Sequence, residues 1–397
     1  MLRLDARPLA DNQPSPSGPV QPVRPAQPLS PAHPVRRGSN VTRKTALVVG
    51  VTGIAGYNTA IALLDEGWDV IGLSRSSTIA IPGVTHIHAD VLDPASIEAA
   101  VSGLDISHLF FTTWQRQATE AENCAVNGAM LRNTLDVLGR TTRLDHATLV
   151  TGLKHYLGPF EAYASAPAET PFRESMERLE FQNFYYEQED ILFSAAASQG
   201  FNWTVHRPHT MIGWALGNAM NMGVTLAIYG SICAATGEPF VYPGSPSQLN
   251  GVTDITDARL LGRHAVWGAT EPRAANQAFN TVNGDVFRWR QLWPILGEAL
   301  GAEVGAYPGH PTPLEDRMGH ADSVWEGLVT RHGLEPYSAS GLASWWHTDA
   351  DLGRDVETFA DMTKSRMLGF LDYQPTVNSF LDLFEALRAA RIIPRLG

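Results

Sequence analysis

Cysteine is almost missing from this chain. Cys124 and Cys233 are the only two among 397 residues, too few for a disulfide framework and without the spacing of a metal cluster. A reducing, cytoplasmic setting is therefore expected, and no metal site. Lysine is nearly as scarce: Lys44, Lys154 and Lys364 stand beside 26 arginines. Positive charge is short as a whole, with 29 basic against 41 acidic residues and a net charge of −12. That balance argues against a nucleic-acid surface, which needs basic stripes. Long apolar runs are missing too; none reaches the roughly 18 residues of a membrane span. What remains is core material, 44% hydrophobic against 18% charged. The length suits one large two-lobed domain or two ordinary ones.

Residues 1–42 form a separate regime. Nine prolines fall between Pro8 and Pro34 with no apolar periodicity among them. Proline at this density forbids a helix and builds no core, so a disordered or polyproline-like tail is expected. A targeting peptide would show an apolar stretch or an amphipathic Arg/Ser helix; a mis-assigned start codon is the other reading.

From Thr45 onward strands and helices alternate. Ala46–Val49, Trp68–Leu73, His86–Ala89, His108–Thr112, His146–Val150 and Trp203–His206 read as short buried strands. Between them lie helices through Ala60–Leu64, over Pro94–Val101 behind the Asp93-Pro94 start signal, over about Asn123–Leu138, and over about Asn183–Ser198. This rhythm predicts an α/β fold, a doubly wound parallel sheet of Rossmann type, over residues 43–208. A smaller, mostly helical C-terminal lobe is expected over 209–397, with segments near 250–285 returning to pack on the first domain. The Met- and aromatic-rich stretch Met211, Trp214, Met220, Met222 and Tyr229 suits either core packing or an apolar substrate wall.

The loop Gly50-Val51-Thr52-Gly53-Ile54-Ala55-Gly56 follows the first strand and opens a helix. Glycines there allow a tight turn and close backbone approach to a pyrophosphate, and the helix N-terminus supplies free N–H groups. A dinucleotide is the expected cofactor. An NAD enzyme commonly carries an acid at the tip of the second strand. Here the tip reads Ser74-Arg75-Ser76, and Asp69 stands at the wrong end. Arg75 and Ser76 suit a 2′-phosphate, so NADP(H) is expected, although Arg75 is also readable as a solvated surface side chain. Asp90 suits the adenine or the cap of the next turn. Val91, Thr112 and Thr113 end strands where such cofactors bind.

A short-chain dehydrogenase would next show Tyr-x-x-x-Lys on one helix. That motif is absent: Glu189 and Asp190 stand four residues after Tyr185 and Tyr186. If a tyrosine and a lysine still work together, the lysine comes from another segment, and Lys154 is the obvious supplier. Both also have plain readings, a surface lysine and a packed tyrosine. Tyr186, Glu189 and Asp190 are expected in packing or solvation, and His155, His206 and His209 as structural.

At these residues the chain resembles the progesterone 5β-reductase/iridoid synthase-like enzymes, a divergent branch of the short-chain dehydrogenases. The matching blocks are Gly50–Gly56, Thr151-Gly-Leu-Lys-His-Tyr-Leu-Gly-Pro-Phe160, Asn183-Phe-Tyr-Tyr-Glu-Gln-Glu-Asp190 and Val205-His-Arg-Pro208. Phe279-Asn280 with Asn283-Gly-Asp-Val-Phe287, and the pair Trp345-Trp346, complete the set. The resemblance implies Lys154 and Tyr185 as the catalytic pair. It also implies NADPH-dependent reduction of the activated C=C bond of enones or enals, and a homodimer. A carbonyl reductase using the same pair is the nearest alternative, and a non-catalytic NADP-binding sensor a more distant one. Cofactor contacts are expected from Gly50, Thr52, Gly53, Ile54, Gly56, Arg75, Ser76, Asp90, Val91, Thr112, Thr113, Lys154, Tyr185 and Met211. Trp114, Phe160, Tyr163, Met222, Trp346 and His347 are expected at the substrate. The family pattern has Phe after the Trp-Trp pair; His347 stands there, making that wall smaller and more polar.

Overall fold

The computed structural model describes residues 44–75, 80–159, 169–217 and 220–395, all within the unit Arg43–Gly397. The proline-rich segment and the expected site residues Ser76, Phe160 and Tyr163 lie outside the described residues. The first half runs β1 (Thr45–Val49), α1 (Ile54–Asp65), β2 (Asp69–Ser74), β3 (Val84–His88), α2 (Pro94–Val101), β4 (His108–Phe111), α3 (Glu120–Thr141), β5 (His146–Val150), α4 (Lys154–Leu157), α5 (Phe184–Gln199) and β6 (Asn202–Pro208). The second runs β7 (Met211–Ile212), α6 (Met222–Thr236), α7 (Pro246–Asn250), β8 (Thr256–Asp257), α8 (Ala258–Thr270), β9 (Gln277–Thr281), α9 (Trp289–Leu300), α10 (Leu314–Arg317), α11 (Ala321–His332), α12 (Ala339–Leu342), α13 (Trp345–Leu352), α14 (Thr363–Met367) and α15 (Thr376–Ala389).

Seven strands form one parallel sheet in the order β3-β2-β1-β4-β5-β6-β9. The order reverses between β1 and β4, which opens a crevice beyond the strand ends at that point. Side chains alternate across the strands. Leu47, Val49, Leu109 and Phe111 meet Leu131, Leu135 and Leu138 of α3 on one face. Ala46, Val48 and Phe110 meet Leu63 of α1 and Ala265 of α8 on the other. Beyond β6, a separate apolar core gathers Ile228, Trp293, Leu296, Trp325 and Phe384 from α6, α9, α11 and α15. The doubly wound parallel sheet with a helical C-terminal region is thus as expected.

Element boundaries moved where side-chain caps decide them. Helix α3 begins three residues before the expected Asn123, because Thr119 and Glu122 form a reciprocal capping box. The Asp93 carboxylate accepts the Ala95 N–H and starts α2 where expected. Strand β3 covers Val84–His88 rather than His86–Ala89. Strand β9 was not identified from the sequence; Gln-Ala-Phe-Asn-Thr alternates weakly, and pairing with β6 makes it a strand. Lys154 opens a one-turn helix after β5.

Candidate active site

The crevice beside β1 is built by backbone. Gly50 adopts φ +85°, and a Cβ there would stand 2.7 Å from Thr113 Cβ, so the turn closes tightly only on glycine. Helix α1 then starts after Gly53, an N-cap without a side chain to cap it, leaving its first N–H groups available to an anion. Gly50, Thr52, Arg75, Asp90, Val91 and Thr113 line this nucleotide cleft together. Gly53, Ile54 and Gly56 lie at the helix start behind it, and Thr112 donates its hydroxyl to the Val49 carbonyl at 2.8 Å. Asp90 also caps the following turn, accepting the Leu92 N–H at 3.0 Å. Ser74, not among the expected cofactor contacts, lines the same cleft with a buried hydroxyl that has no partner among the described residues. An orphaned donor and an uncapped helix start both suit a phosphate-bearing dinucleotide.

A second cleft adjoins the first through Trp114, which lines both. Lys154 and Tyr185 meet there with Thr151 and Gly152. Lys154 is buried, and its ammonium sits 5.2 Å from the Trp114 ring centroid and 5.0 Å from that of Phe184. Those two rings stack on each other at 5.2 Å, so the charge rests on aromatic faces. One side chain ties the pair together. Asn183, the N-cap of α5, accepts the Tyr185 N–H at 3.0 Å and donates to the Lys154 carbonyl at 2.8 Å. Tyr186 is buried as well, and donates to the His155 carbonyl at 2.6 Å, holding α4 from below. Glu189 is buried beneath them against Arg207 at 3.1 Å and Arg178 at 2.9 Å, while Asp190 reaches Arg178 from the surface.

Tyr185 comes close to the backbone at Gly152. A Cβ there would stand 3.3 Å from the Tyr185 hydroxyl and 3.1 Å from the Pro208 carbonyl oxygen. Burial pushes the Tyr185 phenol well above its ordinary value, and the Glu120 carboxylate adds to the rise. Glu120 is held nearby by the Phe184 N–H at 2.8 Å. The phenol therefore keeps its proton and is available as a hydrogen-bond donor.

The far wall differs from expectation. Met211 and His347 line the cleft with Trp114, but Met222 does not: it is 1% exposed within the C-terminal core. The methionine at the wall is Met220. Helix α6 starts at Met222 behind the Asn221 cap, which turns that side chain inward. Trp346 borders a neighbouring depression with Trp345, and the Arg116 guanidinium lies 4.1 Å over its ring. Residues the sequence did not flag also reach the cleft: Thr210, Asp351 and Arg354, and His209, which was expected to be purely structural. Their carboxylate and imidazole chemistry was legible only as scattered single residues. Among the described residues, no group of three His, Cys, Asp or Glu side chains is placed to hold a metal. No described helix is long and apolar enough to cross a membrane.

Residues 79–394 match the PRISE-like Rossmann-fold domain. The chain belongs to the PRISE-like family. The membership makes it an oxidoreductase on a Rossmann-type fold. Its PRISE-like relatives include an (S)-8-oxocitronellyl enol synthase of Nepeta cataria, 40% identical over 88% of this chain and 93% of the relative. A 3-oxo-Delta(4,5)-steroid 5-beta-reductase of Arabidopsis thaliana is 38% identical over the same shares. Among solved structures, the UDP-glucose 4-epimerase of Bifidobacterium longum in complex with NAD+ and UDP superimposes with a TM-score of 0.61. It covers 87% of this chain and 98% of its own at 16% identity, a likeness of fold alone.

Proposed function

We propose that this PRISE-like chain reduces the activated C=C bond of enones and enals with NADPH. The observation that carries this reading is the Tyr185 phenol, kept protonated by burial and set in one cleft with the Lys154 ammonium. Reduction of an enone across its double bond turns the carbonyl oxygen into an enolate, and a fixed neutral donor stabilises that oxyanion. The two relatives above, an enol synthase and a steroid 5-beta-reductase, support the same chemistry.

The backbone N–H groups at the start of α1 would hold the pyrophosphate, and Arg75 a 2′-phosphate. Bound there, NADPH supplies the hydride for the β-carbon. Tyr185 donates its hydroxyl hydrogen to the substrate carbonyl oxygen and stabilises charge as it grows there. Lys154 contributes a buried positive charge beside the same site. Trp114 shields the junction of the two clefts from water. The α-carbon takes its proton from solvent.

Incubation with NADPH and 2-cyclohexenone tests the reading. Cyclohexanone is the expected product; 2-cyclohexenol would point instead to hydride delivery at the carbonyl carbon and would overturn it.

A further inference from the structure

Two imidazoles line the cleft beside Tyr185, and the reaction above uses neither. His209 directs Nδ1 to the Asp254 carboxylate at 2.5 Å, with both side chains fully buried. The other Asp254 oxygen is held by the Ala360 N–H at 2.7 Å. His347, on α13, turns Nε2 toward Asp351 at 3.9 Å. Asp351 is itself fixed by Arg354 at 2.5 Å and by the Thr210 hydroxyl at 2.7 Å.

A carboxylate facing one ring nitrogen selects that nitrogen to carry the proton. The 2.5 Å contact to Asp254 places the proton on Nδ1 of His209. The 3.9 Å gap between His347 Nε2 and Asp351 exceeds hydrogen-bond length, so that carboxylate acts on the ring by charge and does not fix its tautomer. The opposite nitrogens, Nε2 of His209 and Nδ1 of His347, are buried and have no hydrogen-bond partner among the described residues. In the imidazole form Nε2 of His209 is an acceptor, and Nδ1 of His347 is one in the tautomer that carries its proton on Nε2. Burial favours that form in His347, against the pull of Asp351. A buried acceptor without a partner is costly, and a ligand that supplies the missing donor recovers that cost.

We propose that His209 and His347 form a second polar subsite of this cleft, which takes hydroxyl groups carried by the enone substrate away from its carbonyl. The proposal rests on the enone reading and narrows its substrate class. A hydroxyl that reaches the unpaired imidazole nitrogen donates to it. An ether or a second carbonyl presents only acceptors and leaves both nitrogens unpaired.

The test uses hydroxyalkyl-substituted 2-cyclohexenones of increasing reach, each with its methyl ether and its alkyl counterpart. For at least one reach, kcat/KM of the alcohol should exceed that of its ether by roughly tenfold, the size of one net hydrogen bond. In His209→Phe or His347→Phe that ratio should fall toward one. Calorimetric binding of the matching saturated hydroxy ketones and their ethers reads the same preference without turnover. Equal turnover of alcohols and ethers by the unaltered protein, or a preference that survives in both variants, overturns the subsite alone. If no enone is reduced, the reductase reading falls, and calorimetry still decides the subsite.

Discussion

Tyr185 keeps its phenol proton, because desolvation and the neighbouring Glu120 carboxylate both oppose ionisation. Its substitution by Phe removes one donor aimed at the oxyanion. The expected loss in kcat is about 100- to 1,000-fold, with NADPH affinity, measured separately by fluorescence titration, little changed. The phenol must be protonated to work, and burial raises its value. The alkaline fall in kcat should therefore lie above about pH 10, the ordinary tyrosine value. A fall centred well below that would mean that a different group, or a tyrosinate, governs the step. Arg75 makes a second prediction at this scale. It lines the nucleotide cleft at the end of β2, where the sequence Ser74-Arg75-Ser76 carries no acid. Arg75→Ala should raise KM for NADPH about tenfold, one lost charge-assisted contact, and leave KM for NADH nearly unmoved.

Among the elements, α4 and α5 matter most, because they bring together residues that sequence separates. Helix α4 is a single turn and has no stability of its own. The Asn183 amide and the Tyr186 hydroxyl hold it to α5 through the Lys154 and His155 carbonyls. Asn183→Ala removes both an N-cap and that tie. The expected cost is about 1 kcal/mol of stability from the cap, read by urea unfolding. A fall in kcat larger than the stability loss explains should accompany it, because Lys154 and Tyr185 lose their common anchor. Asn183→Asp, which keeps the cap acceptor but loses the donor to Lys154, separates the two effects. Stability should be largely kept and the kcat defect retained.

Across the whole molecule, the sheet buries ionisable rings in adjacent strands. His108, His146 and His206 stand on β4, β5 and β6. Burial lowers His108 to about 4, with Lys44 adding to the shift. It lowers His146 to about 3, aided by the neighbouring His108 and His206, and His206 to about 3. Unfolded, each ring binds a proton near pH 6.5; folded, it resists until far lower. Between those values the unfolded state holds more protons, so stability falls as pH falls. Each ring contributes a slope of about 1.4 kcal/mol per pH unit there. Urea midpoints should thus be flat above about pH 7 and decline steadily toward pH 4. His206→Gln, which removes one such ring from β6, should make that decline shallower.

Much of the architecture was legible from the chain alone, for a local reason. Buried-strand runs, glycine spacing at Gly50–Gly56 and the caps at Asp93 and Asn183 act within a few residues of themselves. They determined the alternating strands and helices, the nucleotide loop and the absence of an acid after β2. The weak strand Gln277–Thr281 was decided by its partner, since pairing with β6 supplies hydrogen bonds that its own pattern does not advertise. The same holds for the second cleft. Periodicity states which face a side chain takes, and says nothing of what another element brings opposite. Only packing turned Met222 into the core and Met220 to the wall, set Lys154 on Trp114 and Phe184, and gave His209 and His347 their distant or buried carboxylates. That Lys154 and Tyr185 belong together was an expectation carried by the family resemblance, and the fold sets both in one cleft. The buried, proton-retaining phenol required the folded molecule, because desolvation is a property of surroundings and not of sequence.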